Sequence, residues 1–190
     1  DTVYFAFDVL SSKKVPIKLI NDINYAIGFD VINELKLSQD SVKIIGSKRH
    51  LDTVKVIKTK MVTLDNVNTD ISEQVTFVNS SSDIEIIPKT LELKGVVKRF
   101  TEGKLSLPVK LINAPIGKKV NFFPKSIDLI YYVDVERFKN VKPEDFTVVC
   151  DFSKFNNASQ NNLELQVTKA SSLVKSTRLT QNRIEFIISD

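Results

Sequence analysis

Two stretches of this chain carry one pattern. Val15-Pro16-Ile17-Lys18-Leu19-Ile20-Asn21 returns as Leu107-Pro108-Val109-Lys110-Leu111-Ile112-Asn113. Proline, lysine and asparagine recur in register, and the positions between stay apolar. A spacing of about ninety residues is too long for a solenoid repeat and suits a small domain. Two related modules in tandem are the expected organisation.

The second pass follows the first beyond the proline segment. Ser41-Val42-Lys43-Ile44-Ile45 corresponds to Ser126-Ile127-Asp128-Leu129-Ile130. Leu51 and Val54 correspond to Phe138 and Val141. Met61 to Leu64 matches Phe146 to Phe152, and Val75 to Val78 matches Leu163 to Val167. Tyr4 to Phe7 precedes the first proline segment as Val96 to Arg99 precedes the second. The spacing between partners drifts by a few residues, as loop insertions between fixed strands produce. The join is placed near Pro88, giving domains 1–87 and 88–190.

Period two dominates within each module, the spacing of half-buried strands. Val15, Ile17 and Leu19 face one way, Lys18 the other. Ile127, Leu129 and Tyr131 alternate with Asp128. Leu163, Leu165 and Val167 alternate with Glu164 and Gln166, and Ile184, Phe186 and Ile188 with Glu185. Sustained helical spacing is absent. Short helical turns are expected at Leu51/Val54 and Phe138/Val141. The fold class is mainly β with short helical turns. Pro16 and Pro108 sit inside apparent strands, where a missing N–H predicts an edge or a bulge. Such an edge is either a rail for a partner chain or a guard against unwanted pairing.

Catalytic chemistry has little to work with. The single histidine, His50, lies beside Lys48 and Arg49 and reads as an exposed loop residue. The single cysteine, Cys150, shares a strand face with Val148 and Phe152 and reads as buried. A histidine triad or a cysteine–histidine nucleophile cannot be assembled from these, nor a zinc site. Five isolated glycines make no phosphate loop. Glu144, Asp145 and Asp151 are carboxylates without a sequence reason to converge. No catalytic, cofactor-binding or metal-binding residue is assigned. The net charge is +4, with lysine and arginine scattered rather than striped, which disfavours nucleic acid. Asn79 and Asn157 open Asn-x-Ser/Thr triplets that carry no weight. The chain opens inside an apolar alternation, Val3 to Phe7, as expected of a region taken from a longer protein.

The ordered marks resemble a known family. They are Val15-Pro16-Ile17-Lys18, Ser41-Val42-Lys43-Ile44-Ile45-Gly46, Phe100-Thr101-Glu102-Gly103 leading into Leu107-Pro108-Val109, Phe123-Pro124-Lys125-Ser126-Ile127, and Arg183-Ile184-Glu185-Phe186-Ile187-Ile188. Together they resemble tandem YbbR-like domains of bacterial envelope proteins, most closely the Bacteroidetes form, over nearly the whole chain. Ser38-Gln39-Asp40 stands where a proline is commonly found; Pro124 keeps it in the second module.

The resemblance implies small twisted β domains, similar to the C-terminal domain of ribosomal protein L25 relatives. It implies a periplasmic location, on the outer side of the inner membrane, and an N-terminal anchoring helix upstream of this chain. In Firmicutes, family members bind and regulate a membrane diadenylate cyclase, which makes cyclic di-AMP. No enzyme activity and no cofactor are implied. The expected function is therefore a non-catalytic protein-interaction and regulatory module with a membrane protein partner. The alternative is an envelope scaffold, adhesion or glycan-binding β module, which would need an aromatic platform. Tyr131 and Tyr132 are adjacent, so one of them is expected to face outward.

Overall fold

The structure, a computed structural model, describes residues 9–78, 83–154 and 162–189. Tyr4 to Phe7, Asn79 and Asn157 lie outside the described residues. The chain falls into two units, Asp1–Lys98 and Arg99–Asp190.

The first unit contains β1 (Leu10–Lys18), β2 (Asn21–Tyr25), β3 (Phe29–Val31), β4 (Lys36–Leu37) and β5 (Ser41–Ser47). Helix α1 (Lys48–Thr53) follows, then β6 (Ile57–Lys58), β7 (Val62–Val67), β8 (Ile71–Thr76), β9 (Ile84–Ile87) and β10 (Thr90–Gly95). One sheet has the order β6-β1-β5-β9, another β4-β10-β8, and β2 pairs with β7. Val15, Val42, Ile44, Ile57 and Leu93 are central to its core. Thr59 is a buried polar residue there, and its hydroxyl accepts the Ile20 N–H at 2.9 Å.

The second unit follows from β11 (Val97–Ile112), with β12 (Lys119–Phe123), β13 (Ser126–Asp134), β14 (Thr147–Asp151), β15 (Asn162–Lys169), β16 (Val174–Leu179) and β17 (Arg183–Ser189). Its sheet runs β12-β17-β15-β14-β11-β13-β16. Leu107, Leu129, Val133, Val148, Cys150 and Ile184 fill its core. The expected alternation holds on β13, where Ile127, Leu129, Tyr131 and Val133 are all buried. Both expected helical turns form. Val54 N–H donates to the Leu51 carbonyl after α1, and Val141 N–H to the Phe138 carbonyl after the 3-10 turn Val135–Asn140.

The proline strands take matching registers. In β1, Val15 faces Val42 and Pro16 faces Ser41; in β11, Leu107 faces Ile127 and Pro108 faces Ser126. Each strand then gains a parallel neighbour one residue later, with Ile17 opposite Ile57 and Val109 opposite Val148. These are interior strands, so the expectation of an edge or bulge is corrected. Hydrogen-bond alternation explains the proline. Ile17 N–H donates to the Asp40 carbonyl at 2.9 Å, and Val109 N–H to the Lys125 carbonyl at 2.9 Å. In an antiparallel ladder the intervening residue is a non-hydrogen-bonded position, with its nitrogen turned away from that partner. Pro16 and Pro108 therefore point their missing donor to the other side, just before the parallel neighbour begins.

Two further expectations shift. The join expected after residue 87 moves eleven residues on, to follow Lys98, because β10 pairs with β8 along Thr90–Gly95 and so belongs to the first unit. Met61 to Leu64, expected to match Phe146 to Phe152, falls instead at β7, which pairs with β2; the parallel neighbour of β1, the counterpart of β14 beside β11, is Ile57–Lys58.

Candidate interaction surfaces

Several of the residues that chemistry would need make contacts that hold the fold. Cys150 is fully buried in β14, and burial pushes its thiol up to about 11, with neighbouring Asp151 adding to the shift. Val149 beside it is buried as well, so β14 is covered on both faces rather than one. His50 sits on α1, not in a loop. It is half-exposed, with Nδ1 3.6 Å from the Asp83 carboxylate. Asp151 accepts from Asn113 Nδ2 at 2.8 Å and from Ser153 N–H at 2.9 Å, and these bonds hold its carboxyl below the usual range. Asp145 accepts the Lys142 N–H at 3.0 Å at the start of the turn Pro143–Asp145. The Glu144 carbonyl receives Lys169 Nζ at 2.7 Å. Among the described residues, no group of three or more histidine, cysteine, aspartate or glutamate side chains could hold a metal ion.

The adjacent tyrosines divide as expected. Tyr131 is 4% exposed, and burial raises its phenol. Tyr132 faces the other side of the sheet, where its ring stacks on Phe100 with centroids 4.8 Å apart at 24°. That contact covers one face of the ring. Glu102 and Arg178 pair across the same face at 3.2 Å.

Two surface features escaped the sequence reading. Ile27 and Ile116 are 101% and 102% exposed, as open as in an extended peptide. Each occupies the second position of a four-residue turn. Phe29 N–H donates to the Ala26 carbonyl at 2.9 Å, and Lys118 N–H to the Pro115 carbonyl at 3.4 Å. Gly28 and Gly117 take φ of 77° and 78°, the left-handed third position that a type II turn requires. An asparagine–aspartate bond stands near each turn, Asn24 to Asp65 at 2.9 Å and Asn113 to Asp151 at 2.8 Å. The signal was an Ile-Gly pair in both modules, legible as turn chemistry. The other feature is the edge strand β12, which carries exposed Phe123, with exposed Ile187 on neighbouring β17.

Against known proteins, the stretch that matches is the one holding β1 to β10. Residues 15–96 match the family model for YbbR-like protein. This is a non-catalytic domain family. The match covers less than half of the chain; β11 onward lies outside it. A crystal structure of a YbbR-like protein from Streptococcus pneumoniae is 10% identical, over 98% of this chain and 99% of that one, with a TM-score of 0.39. A solution structure of SuR18C from Streptococcus thermophilus is 23% identical, over 47% of this chain and 86% of that one, also with a TM-score of 0.39. No curated protein matches the chain. Among the described residues, no helix is long and apolar enough to cross a membrane.

Proposed function

We propose that this chain is a pair of YbbR-like domains serving as the non-catalytic interaction region of a membrane-anchored envelope protein. The YbbR-like match over residues 15–96 carries the reading. Its extension to the second unit rests on the matching proline registers, the paired parallel neighbours and the paired helical turns. The partner is a membrane protein, and a diadenylate cyclase making cyclic di-AMP is the first candidate. Regulation of this kind requires the module to contact two states of the partner differently.

The test is cyclic di-AMP production by membranes bearing the cyclase, with and without the full-length protein. A change in product formation that persists at matched cyclase levels supports the reading. Identical output at saturating protein removes the cyclase as partner.

A further inference from the structure

We infer that the turn carrying Ile116 is a docking point for an anionic lipid surface. Ala114, Pro115, Ile116 and Gly117 form an uncharged tip, and Ile116 is fully exposed at its apex. Single exposed aliphatic residues are ordinary on a protein surface; one at the apex of a turn can be buried where an apolar phase comes within reach. Lys118 and Lys119 follow immediately and are both exposed. An apolar tip with a cationic collar matches the two layers of an anionic bilayer surface. The isoleucine enters the acyl boundary while the lysines remain at the headgroups.

The tip is already shaped for this. Gly117 at φ 78° fixes the turn, with open space around its Cα. The preceding Asn113 is tied to Asp151 at the end of β14. Ordering the loop on binding therefore costs little, which matters for an interaction built on so few residues.

The first unit supplies an internal comparison. Ile27 has the same exposure and the same turn, but Phe29 and Asp30 follow it where Lys118 and Lys119 follow Ile116. The apolar apex is shared and the cationic collar is not. Charge therefore selects the second turn for an anionic surface and leaves the first without that attraction. The inference does not rest on the regulatory reading, since it concerns lipid and not a protein partner.

The chain has no tryptophan, so Ile116→Trp and Ile27→Trp each create a single fluorescent reporter at an open turn. Each variant of the 190-residue chain is titrated with phosphatidylglycerol/phosphatidylcholine vesicles and with pure phosphatidylcholine vesicles. Circular dichroism confirms the fold of each. The expected result is a blue shift for Ile116→Trp on anionic vesicles, suppressed by salt, with little response from Ile27→Trp. Relative to the unsubstituted chain, cosedimentation should weaken roughly fivefold in Lys119→Gln, the worth of one lysine at such a surface. It should weaken further in Ile116→Asp. A folded Ile116→Trp chain that stays unshifted on anionic vesicles overturns the inference. So does an equal shift on neutral vesicles or an equal response at Ile27. Burial of the reporter by an added membrane protein but by no lipid would assign the turn to a protein pocket, and equally overturn it.

Discussion

Gly103 lies in the interior of β11 directly opposite Tyr131 of β13, and its replacement by alanine has a sign that geometry decides. Strand propensity alone favours the substitution by about 0.5–1 kcal/mol, because glycine loses more backbone freedom on folding. Packing opposes it. A Cβ at position 103 would stand 2.6 Å from Cε2 of Tyr131 and closer still to Cζ and Oη, whereas ordinary contacts begin near 3.4 Å. The ring has no free side to retreat to. Tyr131 is buried, with Phe138 and Phe146 at ring-centroid distances of 5.9 Å and 6.0 Å. Overpacking of this kind costs about 1–3 kcal/mol, and expulsion of a large aromatic ring about 3–5 kcal/mol. Gly103→Ala should therefore destabilise the second unit by about 0.5–2 kcal/mol net, roughly a two- to 30-fold rise in the open population at about 1.4 kcal/mol per tenfold. Cys150, the chain's one thiol and fully buried in that unit, reports the opening through its reaction with a thiol reagent. The decisive variant is Gly103→Ala placed in a Tyr131→Leu background. Without the ring, the alanine should cost less than about 0.5 kcal/mol or even stabilise. An equal cost in both backgrounds, or a neutral effect in the parent chain, would refute the packing argument.

Other outcomes follow from the same geometry. Pro108→Ala should stay within about 1 kcal/mol, since position 108 makes no ladder bond to β13, while Val109→Pro should cost about 3 kcal/mol or more by deleting the bond to Lys125; urea titration of both variants checks this. Asp134 caps the turn Val135–Asn140 through the Glu136 N–H at 3.0 Å, so Asp134→Ala should lower stability by about 1 kcal/mol. The Asp151 carboxyl is depressed below its ordinary value of 3.8, chiefly by Asn113 and then by Ser153. A lowered folded pKa gives stability that is present above 3.8 and lost as pH falls through the folded value. Acid unfolding should show that loss, and Asn113→Gly, which tolerates the φ of 55° at this position, should flatten it. The Cys150 thiol is raised from 9.0 to about 11. Its contribution is complete below pH 9 and is lost as pH rises through about 11, which alkaline unfolding of a Cys150→Ala variant should show by a shallower decline.

The period-two segments and the two helical turns were legible because apolar spacing encodes which face is buried. Tyr131 and Tyr132 could be split on the same ground. The place of Pro16 and Pro108 could not be read. A proline reports only that no donor is needed on one side, and a strand whose second neighbour begins one residue later meets that condition inside a sheet. The extent of the first unit was hidden for a related reason. Pro88 breaks a strand, but the pairing of β10 with β8 decides which core the following residues join. Val149 is buried where alternation would leave it outside, since a period of two describes one covered face and β14 has two. Ile27 and Ile116 were passed over because an isoleucine ordinarily marks a core. Only the turn geometry around Gly28 and Gly117 places them at an apex.

The role proposed for this chain is to hold a membrane protein partner without catalysing a reaction. Crosslinking the full-length protein in native membranes, followed by identification of what is recovered, tests it most directly. The proposed role predicts enrichment of an integral membrane protein, diadenylate cyclase first, with crosslinks mapping to this region. Recovery of envelope or glycan-assembly components, with no membrane protein crosslinked to these residues, would contradict it.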